Sequence, residues 1–247
     1  MHDLPLVSAV TLLAGFIHGL TGFGYILVAL PLLAFAFPIR SIVPATLLAA
    51  LAVNLVLAWG LRGGGHRREL AILFVAVVPA TLAGTRILSM APEVWLMLLL
   101  GVCLTAHGAL GLSGWRPRRS PGGGWAAAAG VASGLLGGSI GAGGPPVILY
   151  ASAQPWPKEE IKGLMTSFFV GSGVVACAAQ AAAGLVDGAV LRLLAEAAPG
   201  TALGLAAGMA LFRRVSTRRY QRLVLALILV LGAIFLTRSA KIFGLLP

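Results

Sequence analysis

Apolar residues fill this chain in ten runs, separated by turns and short basic stretches. The runs cover residues 4–20, 25–37, 42–61, 70–90, 94–112, 125–136, 145–153, 161–185, 189–212 and 223–236. A helix needs ~20 predominantly apolar residues to cross the hydrocarbon core at ~1.5 Å rise per residue. The third, fourth, fifth, eighth and ninth runs meet that length, and the tenth does once residues 220–222 are included. The first and second runs, and the sixth and seventh, are short pairs split by glycine. The first split reads Gly19-Leu20-Thr21-Gly22-Phe23-Gly24 and the second reads Gly137-Gly138-Ser139-Ile140-Gly141-Ala142-Gly143-Gly144. Neither contains a charge. Loops that face water usually carry charged or strongly polar residues. Uncharged glycine breaks predict backbone at membrane depth, which is tolerated only inside protein or beside a water-filled cavity.

Composition sharpens this picture. Hydrophobic residues make up 59% of the 247 and charged residues 10%, with mean hydropathy +0.97. Soluble domains carry about 25% charged residues, so a soluble globular protein is excluded, and disorder with it. The net charge of +11 does not indicate a nucleic-acid partner. The basic residues sit in clusters between apolar runs, not along one helix face. Cys103 and Cys177 lie within apolar runs and form neither a disulfide framework nor a metal-ligand spacing. The N-terminus lacks a basic n-region, so the first run reads as retained and not as a signal peptide. The expectation is an all-α membrane protein whose partner is the lipid bilayer.

The halves look like a repeat. Gly15, Gly19, Gly22 and Pro31 recur 115 residues later as Gly130, Gly134, Gly137 and Pro146. Pro38 and Ile42 recur 119 later, and Ala83-Gly84 and Gly108 recur 124 later. The basic clusters are Arg62, Arg67 and Arg68; Arg116, Arg118 and Arg119; and Arg213, Arg214, Arg218, Arg219 and Arg222. Cytoplasmic loops hold the Lys/Arg excess. Placing all three clusters inside requires an odd number of net crossings in each half. The halves, residues 1–115 and 125–247, are then inverted, joined by a cytoplasmic basic linker at 116–124, with both termini outside. Each repeat is expected to hold an interrupted or re-entrant short helix pair and three transmembrane helices. Inverted repeats with interrupted helices in matching places are the pattern of secondary transporters.

Successive glycines let backbone N–H groups converge on an anion, because no Cβ blocks the approach. Pro145-Pro146 suits the first turn of a new helix, whose positive end would face the break. The same reasoning applies to Thr21, Gly22 and Gly24 ahead of the second run. Two opposed helix starts would hold a small anion without a charged side chain. Candidate binding residues are His18, Gly19, Thr21, Gly22, Gly24, Asn54, Gly138, Ser139, Gly141, Gly143, Gly144 and Gln180. His18 is also the candidate for proton coupling. Asn54 aligns with Gly173 at the 119 spacing, and Thr46, Thr166, Ser167 and Ser172 offer hydroxyls. The competing reading of the glycines is close packing of helices through small residues. No catalytic pair, Walker motif, metal site or cofactor motif is present in the sequence.

The stretch from Gly130 to Pro146, with Gly15 through Pro31 as its first-half copy and Gly200 through Gly208 before the last arginine cluster, resembles the TauE/SafE sulfite-exporter family of membrane permeases. The resemblance spans nearly the whole chain. It implies a bacterial inner-membrane transporter of sulfur-containing anions such as sulfite or organosulfonates, and not an enzyme. His18, Phe23 and Tyr25 depart from a purely glycine pattern at the first break. Alternating access would rock one repeat against the other. A passive anion channel and a scaffold subunit are the alternatives, and assembly as a homodimer stays open.

Overall fold

A computed structural model describes residues 4–59, 66–114, 122–211 and 217–244. They form α1 (Leu4–Thr21), α2 (Tyr25–Leu33), α3 (Ile39–Trp59), α4 (Arg67–Met90), α5 (Glu93–Ser113), α6 (Gly123–Ile140), α7 (Gly144–Ser152), α8 (Lys158–Ala182), α9 (Gly188–Leu211) and α10 (Thr217–Ile242). The described residues contain no strand. Seven helices are long and apolar enough to cross a bilayer: α1, α3, α4, α5, α8, α9 and α10. The chain is thus an all-helical, multi-pass membrane protein. Leu12, Val75, Leu82, Val102, Leu203 and Val230 turn outward, the solvent-facing pattern of a chain whose solvent is lipid.

The ten helices fall on the ten apolar runs, and their ends differ for physical reasons. α3 starts at Ile39, where the Ile39 N–H donates to Glu93 Oε1 at 2.8 Å. That bond caps α3 with a side chain from the start of α5. α6 runs through Gly137 and Gly138 to Ile140. The second break is therefore three residues long, Gly141 to Gly143, shorter than the glycine run suggests. Gly123 and Gly124, expected in the linker, open α6; residues 116–121 lie outside the described residues. α10 continues to Ile242, and Thr237 folds its hydroxyl back onto the Ile234 carbonyl at 2.9 Å.

Three helix pairs carry the most extensive packing: α4 with α6, α1 with α9, and α5 with α10. In each, glycine lets backbones meet. A Cβ added to Gly204 would lie 2.1 Å from the Leu12 carbonyl oxygen, and one added to Gly138 would lie 2.3 Å from that of Thr81. Gly232 of α10 meets Thr105 of α5 in the same way. The apolar interior divides in two. One part joins α1, α2 and α3 with α5, α9 and α10. The other joins α4, α6, α7 and α8. Both draw on both ends of the sequence, so residues 1–115 do not form a core of their own.

α1 and α6 are each 18 residues long, and α2 and α7 each nine. Three successive pairs of helix starts, Leu4 and Gly123, Tyr25 and Gly144, Ile39 and Lys158, are 119 residues apart. Nine residues rise ~13.5 Å, about half the hydrocarbon thickness, so neither α2 nor α7 crosses the bilayer by itself.

Candidate functional site

The two breaks face each other. At the first, Gly22 and Gly24 take positive φ, 79° and 104°, and turn the chain sharply between α1 and α2. At the second, Gly141 takes φ 68° between α6 and α7. L-residues with a Cβ rarely adopt this conformation. A Cβ on Gly141 would sit 3.2 Å from Ile26 Cγ2 in the first turn of α2, so the second break packs directly on the helix that follows the first.

Between them lies a cavity of about 90 Å³, room for a few waters or one small polyatomic ion. Its wall includes His18, Gly24–Leu27, Asn54, Thr81, Ser133, Gly137, Gly141–Gly144, Phe169, Ser172 and Gly173. Among the described residues, no Asp, Glu, Lys or Arg lines it. The polarity comes from backbone and neutral side chains. Hydrogen bonds across each break hold the lining in place. The Tyr25 N–H donates to His18 Nδ1 at 3.3 Å, and the Tyr25 hydroxyl bonds Thr201 Oγ1 of α9 at 2.7 Å. Thr21 Oγ1 bonds the carbonyls of Ile17 and Phe23. Ser133 of α6 donates to the Gly143 carbonyl, holding the second break against its own helix.

The helix starts supply their donors in different ways. The first N–H groups of a helix have no intrahelical partner. In α2, Tyr25 uses its N–H on His18, leaving those of Ile26 and Leu27 at the cavity. In α7 the second and third helical residues are Pro145 and Pro146, which carry no N–H. The same prolines that start α7 reduce its donors to those of Gly143 and Gly144. Each start thus brings two N–H groups to the cavity, from Ile26 and Leu27 at α2 and from Gly143 and Gly144 at α7.

Of the candidate residues, the structure brings His18, Gly24, Asn54, Gly141, Gly143 and Gly144 to the cavity wall. The other six lie elsewhere. Gly19 belongs to the α1–α9 seam, where a Cβ would lie 2.7 Å from the Leu205 carbonyl. Gly138 belongs to the α4–α6 seam. Thr21 serves the turn, and Gly22 lies beside the Lys162 side chain. Ser139 is buried and bonds its own helix at Leu135 O, 2.6 Å. Gln180 Nε2 donates to the Gly138 carbonyl at 3.3 Å. Thr81, Ser133 and Phe169 are lining residues that sequence reasoning missed. Ser133 had a usable signal, since it stands one helical turn before Gly137. Thr81 and Phe169 had none.

On the wall the buried side chains of His18 and Asn54 are hydrogen-bond partners of each other, so their polar ends are satisfied within the protein.

A search of curated proteins and a search of solved structures return no match. A family model does match: that of the sulfite exporter TauE/SafE, over residues 7–235. Its span begins in α1 and ends in α10, taking in both breaks and every element that lines the cavity. This all-helical membrane chain, with its two short helices starting at an uncharged cavity, belongs to the TauE/SafE sulfite exporter family of transporters.

Proposed function

We propose that this chain is a secondary transporter that carries small sulfur oxyanions such as sulfite, or organosulfonates, out across the bacterial inner membrane. The anion sits near the midplane in the cavity between the two breaks. The observation that carries this reading is a half-open cavity without a charged side chain, lined by the starts of two half-length helices. Positive helix ends and unpaired N–H groups attract an anion without the fixed charge that would hold it too tightly for release. Moving one negative charge outward from an inside-negative cell is favourable by ~2.3 kcal/mol per 100 mV, so export needs no coupling ion.

We further propose that the chain is two inverted repeats with both termini periplasmic. The 119-residue spacing of three helix pairs supports it, as does the packing. Exchanging α1–α5 for α6–α10 turns the α1–α9 pair into α6–α4, and α5–α10 into itself. In this register Gly15 corresponds to Gly134 and Gly19 to Gly138. The spacing of 115 read from the glycines is displaced by four residues, one helical turn, because seam glycines themselves recur every four. The seams also bear on the mechanism. Both tie one half to the other backbone to backbone, so the halves do not rock as separate bodies. α7 is the better moving part. Seven of the nine α2 residues are buried against three of the nine in α7, and a groove of about 540 Å³ runs beside Pro145, Pro146 and Leu149.

The test is counterflow of radiolabelled sulfite into proteoliposomes preloaded with unlabelled sulfite. Saturable accumulation competed by sulfoacetate or taurine is expected. Absence of protein-dependent uptake by folded protein would overturn sulfite as the substrate. Flux that neither saturates nor shows counterflow would instead make the protein a channel.

A further inference from the structure

Phe23 stands between two hinges. Gly22 and Gly24 on either side of it take φ 79° and 104°, a backbone that glycine tolerates at no steric cost. Thr21 Oγ1 bonds the Phe23 N–H at 3.3 Å and also its carbonyl. The Phe23 side chain lines the cavity. It also packs on the apolar core of α4, α6, α7 and α8, the one described residue before Leu70 to do so. Thr21 to Gly24 are all partly exposed, whereas Gly141 and Ala142 of the second break are buried.

The first break lies at one end of the bundle. α1 and α9 run in parallel, and a Cβ on Gly19 would lie 2.9 Å from the Met209 nitrogen, near the end of α9 at Leu211. Arg213 and Arg214 follow in the sequence, which marks this end as cytoplasmic. α8 begins here too: its Lys162 places Cε 4.0 Å from a Cβ on Gly22. The second break lies toward the opposite face. Gly138 meets Thr81 and Thr85 of α4, more than ~20 Å along that helix from its basic start at Arg67.

Lys162 is exposed. It stands two helical turns before Phe169, so it shares the α8 face that brings Phe169, Ser172 and Gly173 to the cavity wall, ~10.5 Å nearer the cytoplasm. The carboxylate of Glu160, near the opposite side of α8, meets His66. A cation thus precedes an uncharged cavity along one helix face, and Phe23 borders both the cavity and the glycine that Lys162 covers.

We infer that the first break is the cytoplasmic port of the cavity, with Lys162 as the cation that docks the anion outside it and Phe23 as the gate the anion passes. This rests on the transport reading and the topology proposed above, and it adds an outer position to the anion's path. An exposed ammonium at the mouth raises the local concentration of anions and leaves the cavity itself without a fixed charge. Sulfite and sulfonates gain alike, in proportion to their net charge. The gate opens by turning Phe23 about Gly22 and Gly24, and the bonds to Thr21 hold it shut between passages.

The test measures sulfite counterflow in proteoliposomes at low ionic strength and in ~0.5 M potassium gluconate, where a single exposed charge is screened. Lys162→Gln should raise KM about threefold to tenfold at low ionic strength and leave the maximal rate unchanged. Lys162→Arg should stay close to wild type, and added salt should bring all three together. Sulfoacetate, with two negative groups, should lose more as a competitor than zwitterionic taurine. Lys162→Cys should regain the low KM when an impermeant cationic methanethiosulfonate reaches the cytoplasmic face in inverted vesicles, and not when it reaches the periplasmic face. Wild type treated alike controls for Cys103 and Cys177. Ser172→Cys on the cavity wall reports the gate: Phe23→Ala should speed its labelling from the cytoplasmic face several-fold. Phe23→Leu, the milder change, should move it in the same direction if alanine disturbs folding. A wild-type KM for Lys162→Gln at low ionic strength, rescue from the periplasmic face, or labelling that Phe23 does not slow overturns the inference and leaves the carrier standing. No sulfite counterflow by folded wild type overturns the transport reading and the docking role of Lys162 with it, while the labelling rates still decide whether Phe23 gates the cavity.

Discussion

Gly137 and Gly138 are neighbours with opposite duties, and alanine at each separates packing from transport. A Cβ on Gly138 would lie 2.3 Å from the Thr81 carbonyl oxygen and 2.8 Å from the Thr85 nitrogen, where ordinary contact begins at 3.4 Å. α4 and α6 must part by about 1 Å at that level, an overpacking that costs roughly 1–3 kcal/mol. A Cβ on Gly137 meets the Gly143 Cα at 3.6 Å and its nitrogen at 3.8 Å, both ordinary contacts. Both substitutions gain the same helix propensity, up to about 1 kcal/mol, so the difference between them isolates the clash. One kcal/mol moves Tm by about 2–4 °C in a chain of this size. G138A should therefore melt roughly 2–12 °C below G137A. The assay is size-exclusion of heated, detergent-solubilised protein, paired with sulfite counterflow per folded molecule. G137A should keep its Tm or raise it by up to about 4 °C, and should lose transport several-fold, because its methyl group enters a cavity of only about 90 Å³. Equal melting temperatures for the two variants, or wild-type transport by G137A, would refute the division between seam and cavity.

Other outcomes follow from the same geometry. Gly24→Ala forces a side chain to φ 104°, at a cost of roughly 1–3 kcal/mol. It should lower Tm and impair counterflow together, as measured on one preparation. Ser133→Ala removes the tie between α6 and the Gly143 carbonyl, so counterflow should slow several-fold, and Ser133→Thr should restore more of it than Ser133→Val. Gln180→Leu removes a 3.3 Å bond to Gly138 and a buried oxygen without a partner. Those effects oppose, so Tm should move by less than about 1 kcal/mol equivalent, with the sulfite KM unchanged. Glu160→Gln replaces the carboxylate that meets His66 Nε2 at 2.6 Å at the start of α8. The pair is part-exposed, so the loss should stay within about 1 kcal/mol, read as a small fall in Tm.

Much of the architecture was legible because apolar run length and glycine breaks report directly on burial in lipid. All ten runs became helices. Glycine was the ambiguous letter. At Gly141 it marks a left-handed turn, whereas at Gly138, three residues earlier, it lets two helices touch, and nothing local distinguishes these uses. That is why the second break reads longer in sequence than it is. The site was half legible for the same reason. His18, Gly24 and Asn54 stand out as unusual residues in apolar surroundings, and they line the cavity. Gln180 and Ser139 stand out equally and instead bond Gly138 and Leu135, since a polar side chain in a membrane helix needs a partner wherever it points. Thr81 and Phe169 reach the cavity only through the way α4 and α8 pack, which no spacing within either helix records.

The α1–α9 seam joins the first helix of the chain to the ninth. At about 5–20 residues per second, a ribosome finishes α9 roughly 10–40 s after α1. For that interval Gly15 and Gly19 present a bare groove to lipid or to whatever insertion factor is at hand. The nascent protein is thus most vulnerable in its earliest part, and quality control has a defined window in which to act on it. A message truncated before α9 would yield a chain whose first helix never finds its seat. Two halves synthesised separately in one membrane would meet the same seam from both sides and have reason to assemble.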